Sequence, residues 1–235
     1  MQIPLPGIGI RRRLASVGSI QEHVLATYRD RARHYDITAN LYYLLGFRVQ
    51  ASRRRAVRAL ALRPGDTVVE IGCGTGLNFS LVEQVIGPEG RIIGVDLTDA
   101  MLAQAERRAR ERGWQNVSLV QADAAEFAFP AGVNAMLSTY ALSLAPDCAD
   151  VIAHGAAALA PGGRMAVLDL KVPARAPRWL ARAGLAAVKP FATAEEWAAR
   201  RPWDTIHAAM QARLTDFTWS DFYFGVAYLA TGRTG

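Results

Sequence analysis

Cysteine occurs only twice in the 235 residues, at Cys73 and Cys148. Two thiols so far apart make neither a disulfide framework nor a metal-ligand spacing, so no metal is expected and a reducing compartment, by default the cytoplasm, fits best. No uncharged apolar run reaches the roughly 18–20 residues of a membrane-spanning helix. Arg11, Arg12 and Arg13 stand near the start, but no continuous apolar segment or small-residue cleavage site follows them, so a secretory leader is not expected. Internal repeats and low-complexity tracts are missing too. What remains is the balance of an ordinary globular protein, 51% hydrophobic and 20% charged, long enough for one well-buried core and an extension.

Lysine is nearly absent as well, limited to Lys171 and Lys189, so arginine carries the positive charge. Its distribution is uneven. Residues 1–60 hold eleven arginines against Glu22, Asp30 and Asp36, a local +8 in a chain of net +6, which leaves about −2 for the rest. A basic end of this kind attracts an anionic lipid surface, a nucleic acid or an acidic substrate. The plainer reading is that arginine serves here as the solvating cation.

Between residues 66 and 171 short β-branched runs alternate with helical patterns, the signature of repeated βα units around a parallel sheet. Strands are expected at Thr67–Ile71, Arg91–Asp96, Val117–Gln121, Val133–Thr139 and 164–170, and helices at 99–112 and 147–159. Pro161-Gly162-Gly163 is read as ending the second of these helices and starting the fifth strand. Upstream, 21–33 and 49–62 have the periodicity of amphipathic helices and bracket an aromatic segment, 35–47. Residues 1–62 are therefore read as a helical cap and 63–235 as the main domain. Downstream, 174–212 looks helical, 217–230 supplies the last two strands, and 231–235 is expected to fray.

The run Val68-Val69-Glu70-Ile71-Gly72-Cys73-Gly74-Thr75-Gly76-Leu77 sets a glycine-rich turn between an apolar strand and a helix, where only glycine lets the backbone bend sharply and approach a ligand. A dinucleotide site wants a third glycine at the helix start, and Leu77 stands there instead. Glu70 also argues against a pyrophosphate, which its carboxylate would repel. A sulfonium cofactor has no phosphate and offers an ammonium group that Glu70 can meet directly or through water. Asp96 ends the second strand, placed to accept both ribose hydroxyls. Asp123 ends the third, placed to accept from an adenine amine while Ala124 offers its N–H.

Over about residues 50–171 these segments resemble the class I S-adenosylmethionine-dependent methyltransferase family. The resemblance implies an α/β, Rossmann-like fold: a seven-stranded, mostly parallel sheet with an antiparallel last strand, carrying S-adenosylmethionine (S-adenosylhomocysteine after transfer) across the carboxyl ends of its first strands. Carried over, Glu70, Gly72, Cys73, Gly74 and Gly76 surround the methionine part, Asp96 and Leu97 the ribose, and Asp123 and Ala124 the adenine. Many relatives have an aspartate where this chain has Asn134, which can hydrogen-bond but supplies no charge, so a structural role is expected.

The acceptor is less legible, because methyl transfer chiefly needs alignment and exclusion of water. The fourth strand lacks the Asp/Asn-Pro-Pro-aromatic motif of adenine and glutamine amino-methyltransferases, and no Pro-Cys dipeptide offers a pyrimidine nucleophile. Nucleic acid is thus disfavoured. Tyr28-Arg29-Asp30, His34-Tyr35-Asp36 and Leu41-Tyr42-Tyr43 resemble the N-terminal cap of quinone C-methyltransferases and lipid-headgroup amine N-methyltransferases. The resemblance implies that Tyr28, Tyr35, Tyr42 or Tyr43 lines the site, unless these rings only pack the extension. Tyr140, just past the fourth strand, is the leading acceptor-side residue. His34 is the leading proton acceptor, with Tyr35 beside it.

Asp169 and Lys171 follow the fifth strand, within reach of an acceptor, although a local ion pair or strand-end solvation is the simpler reading. His154 and His207 are read as structural. Residues 173–212 correspond to the family's variable substrate insertion, whose Trp179, Trp197 and Trp203 either wall a pocket or build its helices. The expected activity is methylation of nitrogen or carbon on a small, fairly hydrophobic acceptor: an amine, a lipid headgroup, a quinone or another aromatic ring. The alternatives are an RNA-binding or RNA-modifying methyltransferase, on the arginine excess, and a non-catalytic cofactor-binding subunit. A monomer or homodimer is expected, with peripheral contact to an anionic membrane through the basic start.

Overall fold

The computed structural model describes residues 10–12, 48–173 and 194–235. The first described elements are strand β1 (Ile10–Arg12) and helix α1 (Val49–Ala59). The alternating units follow: β2 (Thr67–Ile71), α2 (Phe79–Ile86), β3 (Arg91–Asp96), α3 (Asp99–Glu111), β4 (Val117–Gln121), β5 (Val133–Thr139), α4 (Cys148–Ala158) and β6 (Leu159–Leu170). The chain closes with α5 (Ala194–Arg200), α6 (Pro202–Arg213), β7 (Thr215–Phe222) and β8 (Ala227–Arg233).

These strands form one sheet in the order β1-β4-β3-β2-β5-β6-β8-β7. Pairing is parallel from β1 to β6, and β8 runs antiparallel to both β6 and β7. The expected seven strands are thus present, with the reversed last strand inserted between the fifth and sixth. The eighth, β1, is an addition the sequence reading did not foresee: a short run from the basic start that extends the edge beside β4.

Both faces of the sheet are covered, so the central strands read as continuous β-branched runs and not as alternating ones. Successive residues of β2 go to opposite sides: Val68 joins the core that α1, α2 and α3 cover, and Val69 joins the one that α4, α5 and α6 cover. Helix α1 contributes Ala56 and Val57 to the first core. Trp197 and Trp203 are buried in the second, edge to face at 5.3 Å.

Three expectations change. Helix α1 ends at Ala59, three residues short of position 62. The fifth strand begins at Leu159, directly after α4, because Leu159 already pairs with Val133; the ladder then shifts, and residues 160–163 with their proline and two glycines bulge out before Arg164 resumes opposite Ala135. The tail is tied down where fraying was expected. Thr234 donates from its N–H to the Gly163 carbonyl at 2.9 Å and from its hydroxyl to that of Ala160 at 2.7 Å.

Candidate functional site

The turn after β2 needs glycine for two separate reasons. Gly72 has φ +64, and a Cβ there would lie 2.2 Å from that of Ala141; Gly76 has φ +74, and its Cβ would enter the Phe79 ring at 2.6 Å. The turn is pinned to β3 by the Cys73 N–H, which donates to the Val95 carbonyl at 3.0 Å. Asp96 completes the clamp, accepting from the Gly74 N–H at 2.8 Å and from the Thr98 N–H at 2.9 Å. Burial raises the Asp96 pKa, and these backbone donors work against the rise.

An open cleft runs across the carboxyl ends of β2, β3 and β4. Gly72, Cys73, Gly74, Asp96, Leu97, Asp123, Ala124 and Tyr140 all line it. Asp123 caps its own turn by accepting from the Ala125 N–H at 2.9 Å. Burial pushes the Cys73 thiol well up, so it is a neutral wall and not a nucleophile. Gly76 supports the turn without lining the cleft. Glu70 does not line it either; it lies beneath, 1% exposed.

Glu70 anchors a buried polar network that the sequence reading missed. Its Oε1 accepts from Asn78 Nδ2 at 2.6 Å, and Asn78 Nδ2 also donates to Thr139 Oγ1 at 2.9 Å. Arg53 Nη1 donates to Asn78 Oδ1 at 3.1 Å and to Thr139 Oγ1 at 2.5 Å. The Arg53 Nε and Glu70 Oε2 atoms are buried without partners. Two opposite charges are thus bridged by an amide and a hydroxyl. Burial pushes the Glu70 pKa up to about 7, against the lowering influence of Asn78 and Arg53. One signal was available: Arg53 shares the buried face of α1 with Ala56 and Val57, an unusual place for arginine unless it is paired.

Tyr140 stands at the far end of the cleft with φ +57, a conformation a bulky side chain rarely adopts; its N–H donates to the Leu168 carbonyl at 2.7 Å. The Arg53 guanidinium lies 5.3 Å from its ring centroid. Burial pushes the phenol up to about 12.

Asp169 and Lys171 do not pair with each other. Asp169 is buried and accepts from the N–H and hydroxyl of Ser143, both at 2.9 Å, while Lys171 pairs with Asp221 at 2.7 Å. His154 is exposed on α4, and His207 lies against Phe217 and Trp219 at 5.0 and 5.1 Å. Asn134 has the structural role expected of it, accepting from the Thr67 N–H at 2.8 Å. His34 and Tyr35, with Tyr28, Tyr42, Tyr43 and Trp179, lie outside the described residues. Among the described residues, no three His, Cys, Asp or Glu side chains gather as metal ligands would, and no helix is long and apolar enough to cross a membrane.

Residues 62–216 match the family described as a methyltransferase domain. The chain is 32% identical over 149 residues to nocamycin O-methyltransferase of Saccharothrix syringae, covering 62% of this chain and 52% of that protein. It is 34% identical over 128 residues to 2-phytyl-1,4-naphtoquinone methyltransferase of Synechococcus elongatus, covering 52% and 53%. The chain spans about half the length of these curated relatives. Among solved structures, an Aquifex aeolicus SAM-dependent methyltransferase superposes with a TM-score of 0.57 at 13% identity, over 78% of this chain and 89% of that one. A Bordetella parapertussis structure described as a possible exported protein gives 0.64 at 20% identity, over 80% and 67%. At these identities the structural likeness concerns the fold.

Proposed function

Because the chain belongs to the methyltransferase-domain family, we propose that it binds S-adenosylmethionine in this cleft and moves a methyl group to a small, fairly hydrophobic acceptor. The observation that carries the reading is the convergence of the glycine turn, Asp96 and Asp123 from three successive parallel strands on one cleft. The residues present fit the cofactor. A Cβ added at Gly74, on the cleft wall, would meet nothing within 4 Å, so the turn leaves room there, and Glu70 Oε2 is a buried acceptor without a partner.

On this reading Gly72, Cys73 and Gly74 border the methionine part, with Glu70 beneath and Gly76 supporting the turn. Asp96 and Leu97 hold the ribose, and Asp123 and Ala124 hold the adenine. Asp96 keeps lone pairs for ribose hydroxyls while its backbone bonds fix its direction. The cofactor, when bound, supplies an electrophilic methyl on a positively charged sulfur. Tyr140 borders the acceptor, and His34 and Tyr35 belong to the same acceptor side. The curated relatives are named for nocamycin and a phytyl naphthoquinone, which favours a small organic acceptor. Residues 1–62 then serve as a cap and 173–212 as the acceptor segment of a domain over 63–235. The protein works in the cytoplasm, with its arginine-rich start available to an anionic membrane face.

Calorimetric titration with S-adenosylmethionine and S-adenosylhomocysteine tests the reading. Micromolar binding is expected, weakened at least about tenfold in Asp96→Ala, since hydrogen bonds to a charged group contribute about 1.5–3 kcal/mol. Absence of binding by the wild-type chain would overturn it.

A further inference from the structure

Among the described residues that line the cleft, Arg53 is the one cation; the other charged side chains there, Asp96 and Asp123, are acids. Arg53 is only 5% exposed, on the inward face of α1. An arginine so placed is normally paired with a carboxylate. Arg53 instead donates to two neutral groups, Asn78 Oδ1 and Thr139 Oγ1, and both bonds leave from Nη1.

A guanidinium carries five N–H donors. Neither bond uses Nη2, and Nε is buried without a partner. Leaving a charged donor buried and unpaired is costly, and a ligand that meets it removes that cost. The group is also held in place: Asn78 and Thr139 fix one tip at 3.1 and 2.5 Å, and the ring centroid of Tyr140, another cleft residue, lies 5.3 Å from the guanidinium carbon. A planar fork fixed in this way is preorganised for a planar, two-oxygen partner.

We propose that Arg53 is the carboxylate-binding residue of this cleft. This rests on the methyltransferase reading and adds a ligand group to it. Two sources bring a carboxylate to the site: the amino-acid end of the cofactor and an acidic acceptor. Asn78 connects Arg53 to Glu70, accepting from the one and donating to the other, so opposite charges stand one amide apart. The amino-acid end of the cofactor likewise carries opposite charges on one carbon. The contact with Tyr140, on the acceptor side, suits an acidic acceptor. An ammonium group at this position would be repelled by the guanidinium, and a phosphate would bring up to about two negative charges to one cation among three acids, Glu70, Asp96 and Asp123.

The test titrates the full chain calorimetrically with S-adenosylhomocysteine and with its decarboxylated counterpart, S-adenosyl-3-thiopropylamine, which keeps the ammonium group. A second arm saturates the chain with S-adenosylhomocysteine and adds 1-naphthoate or the neutral 1-naphthylmethanol. The variants are Arg53→Met, which removes the charge, and Arg53→Lys, which keeps a cation beside Glu70 and removes the fork.

If the carboxylate is the cofactor's, the wild type should bind S-adenosylhomocysteine about ten- to a hundredfold more tightly than the decarboxylated compound, the effect of a charge-assisted hydrogen bond. Both variants should shrink that ratio while leaving affinity for the decarboxylated compound little changed, which a merely structural role would not do. If the carboxylate is the acceptor's, the two nucleosides should bind alike, and naphthoate should bind in preference to naphthylmethanol in the wild type alone. Equal nucleoside affinities in the wild type with no preference for naphthoate would overturn the proposal without any variant. So would preferences that persist undiminished in both variants. Failure of both nucleosides to bind the wild type would instead defeat the cofactor reading, and the proposal with it.

Discussion

Replacing Glu70 with glutamine isolates what a buried carboxyl does to this fold as pH rises. In the native protein the side chain is 1% exposed, one oxygen accepts from Asn78 and the other has no partner. Burial moves its pKa from the ordinary 4.5 to about 7. An acid whose pKa rises on folding holds its proton more tightly in the folded chain than in the unfolded one. Its contribution to stability is therefore greatest below pH 4.5, falls as pH climbs to about 7, and stays low above that.

At 1.36 kcal/mol per pH unit the whole interval amounts to roughly 3 kcal/mol. Asp169, pushed up to about 6, and Asp96, also raised, act in the same direction, so the slope of the wild type alone does not isolate Glu70. The comparison with Glu70→Gln does, because glutamine keeps the acceptor for Asn78 and removes the charge. Urea unfolding of both proteins from pH 4.5 to 8 should show their difference moving in favour of the variant by about 1–3 kcal/mol, the lower end applying if water reaches the site. A difference that stays flat across this range would refute the reasoning, since Glu70 would then titrate alike in folded and unfolded chains.

Two further substitutions probe the framework. Gly72→Ala should lose about 2–4 kcal/mol, because the left-handed φ and the 2.2 Å approach to Ala141 both oppose a Cβ. Gly74→Ala, with φ +55 but open space, should lose only about 1–2 kcal/mol, and equal losses in denaturant unfolding would remove the steric argument. Trp203→Ala should lose about 3–5 kcal/mol, since Trp203 is buried and packs edge to face on Trp197; near-native stability in the same assay would show that α6 is not part of the core.

Much of the scaffold was legible because its signals are local. The runs Thr67–Ile71, Arg91–Asp96, Val117–Gln121 and Val133–Thr139 carry their β-branched composition and their bounding turns within themselves, and the strands form at those limits. The glycine turn was readable for the same reason: a strand, a positive-φ position and a helix follow one another along the chain. Misreadings came where a long-range partner outweighed a local cue. Pro161-Gly162-Gly163 looked like the start of a strand, but pairing of Leu159 with Val133 begins β6 earlier and makes those residues a bulge. Thr234 looked like a loose end until Gly163 and Ala160 supplied its partners.

The site divides in the same way. Composition, the βα alternation and the acids that close three consecutive strands are properties of short segments, so the sequence by itself determined the fold class and pointed to residues such as Gly72, Gly74, Asp96 and Asp123 that line one cleft. The tertiary structure alone decided that Arg53 reaches Asn78 and Thr139, that Asp169 serves Ser143 and not Lys171, and that Tyr223 arrives beside Ser52 from 171 positions away. Such contacts have no period and no fixed spacing. They exist because a twisted sheet brings its strand ends, a preceding helix and a final hairpin to one edge, and the partner of each buried polar group is chosen there by proximity and not by neighbourhood in the chain.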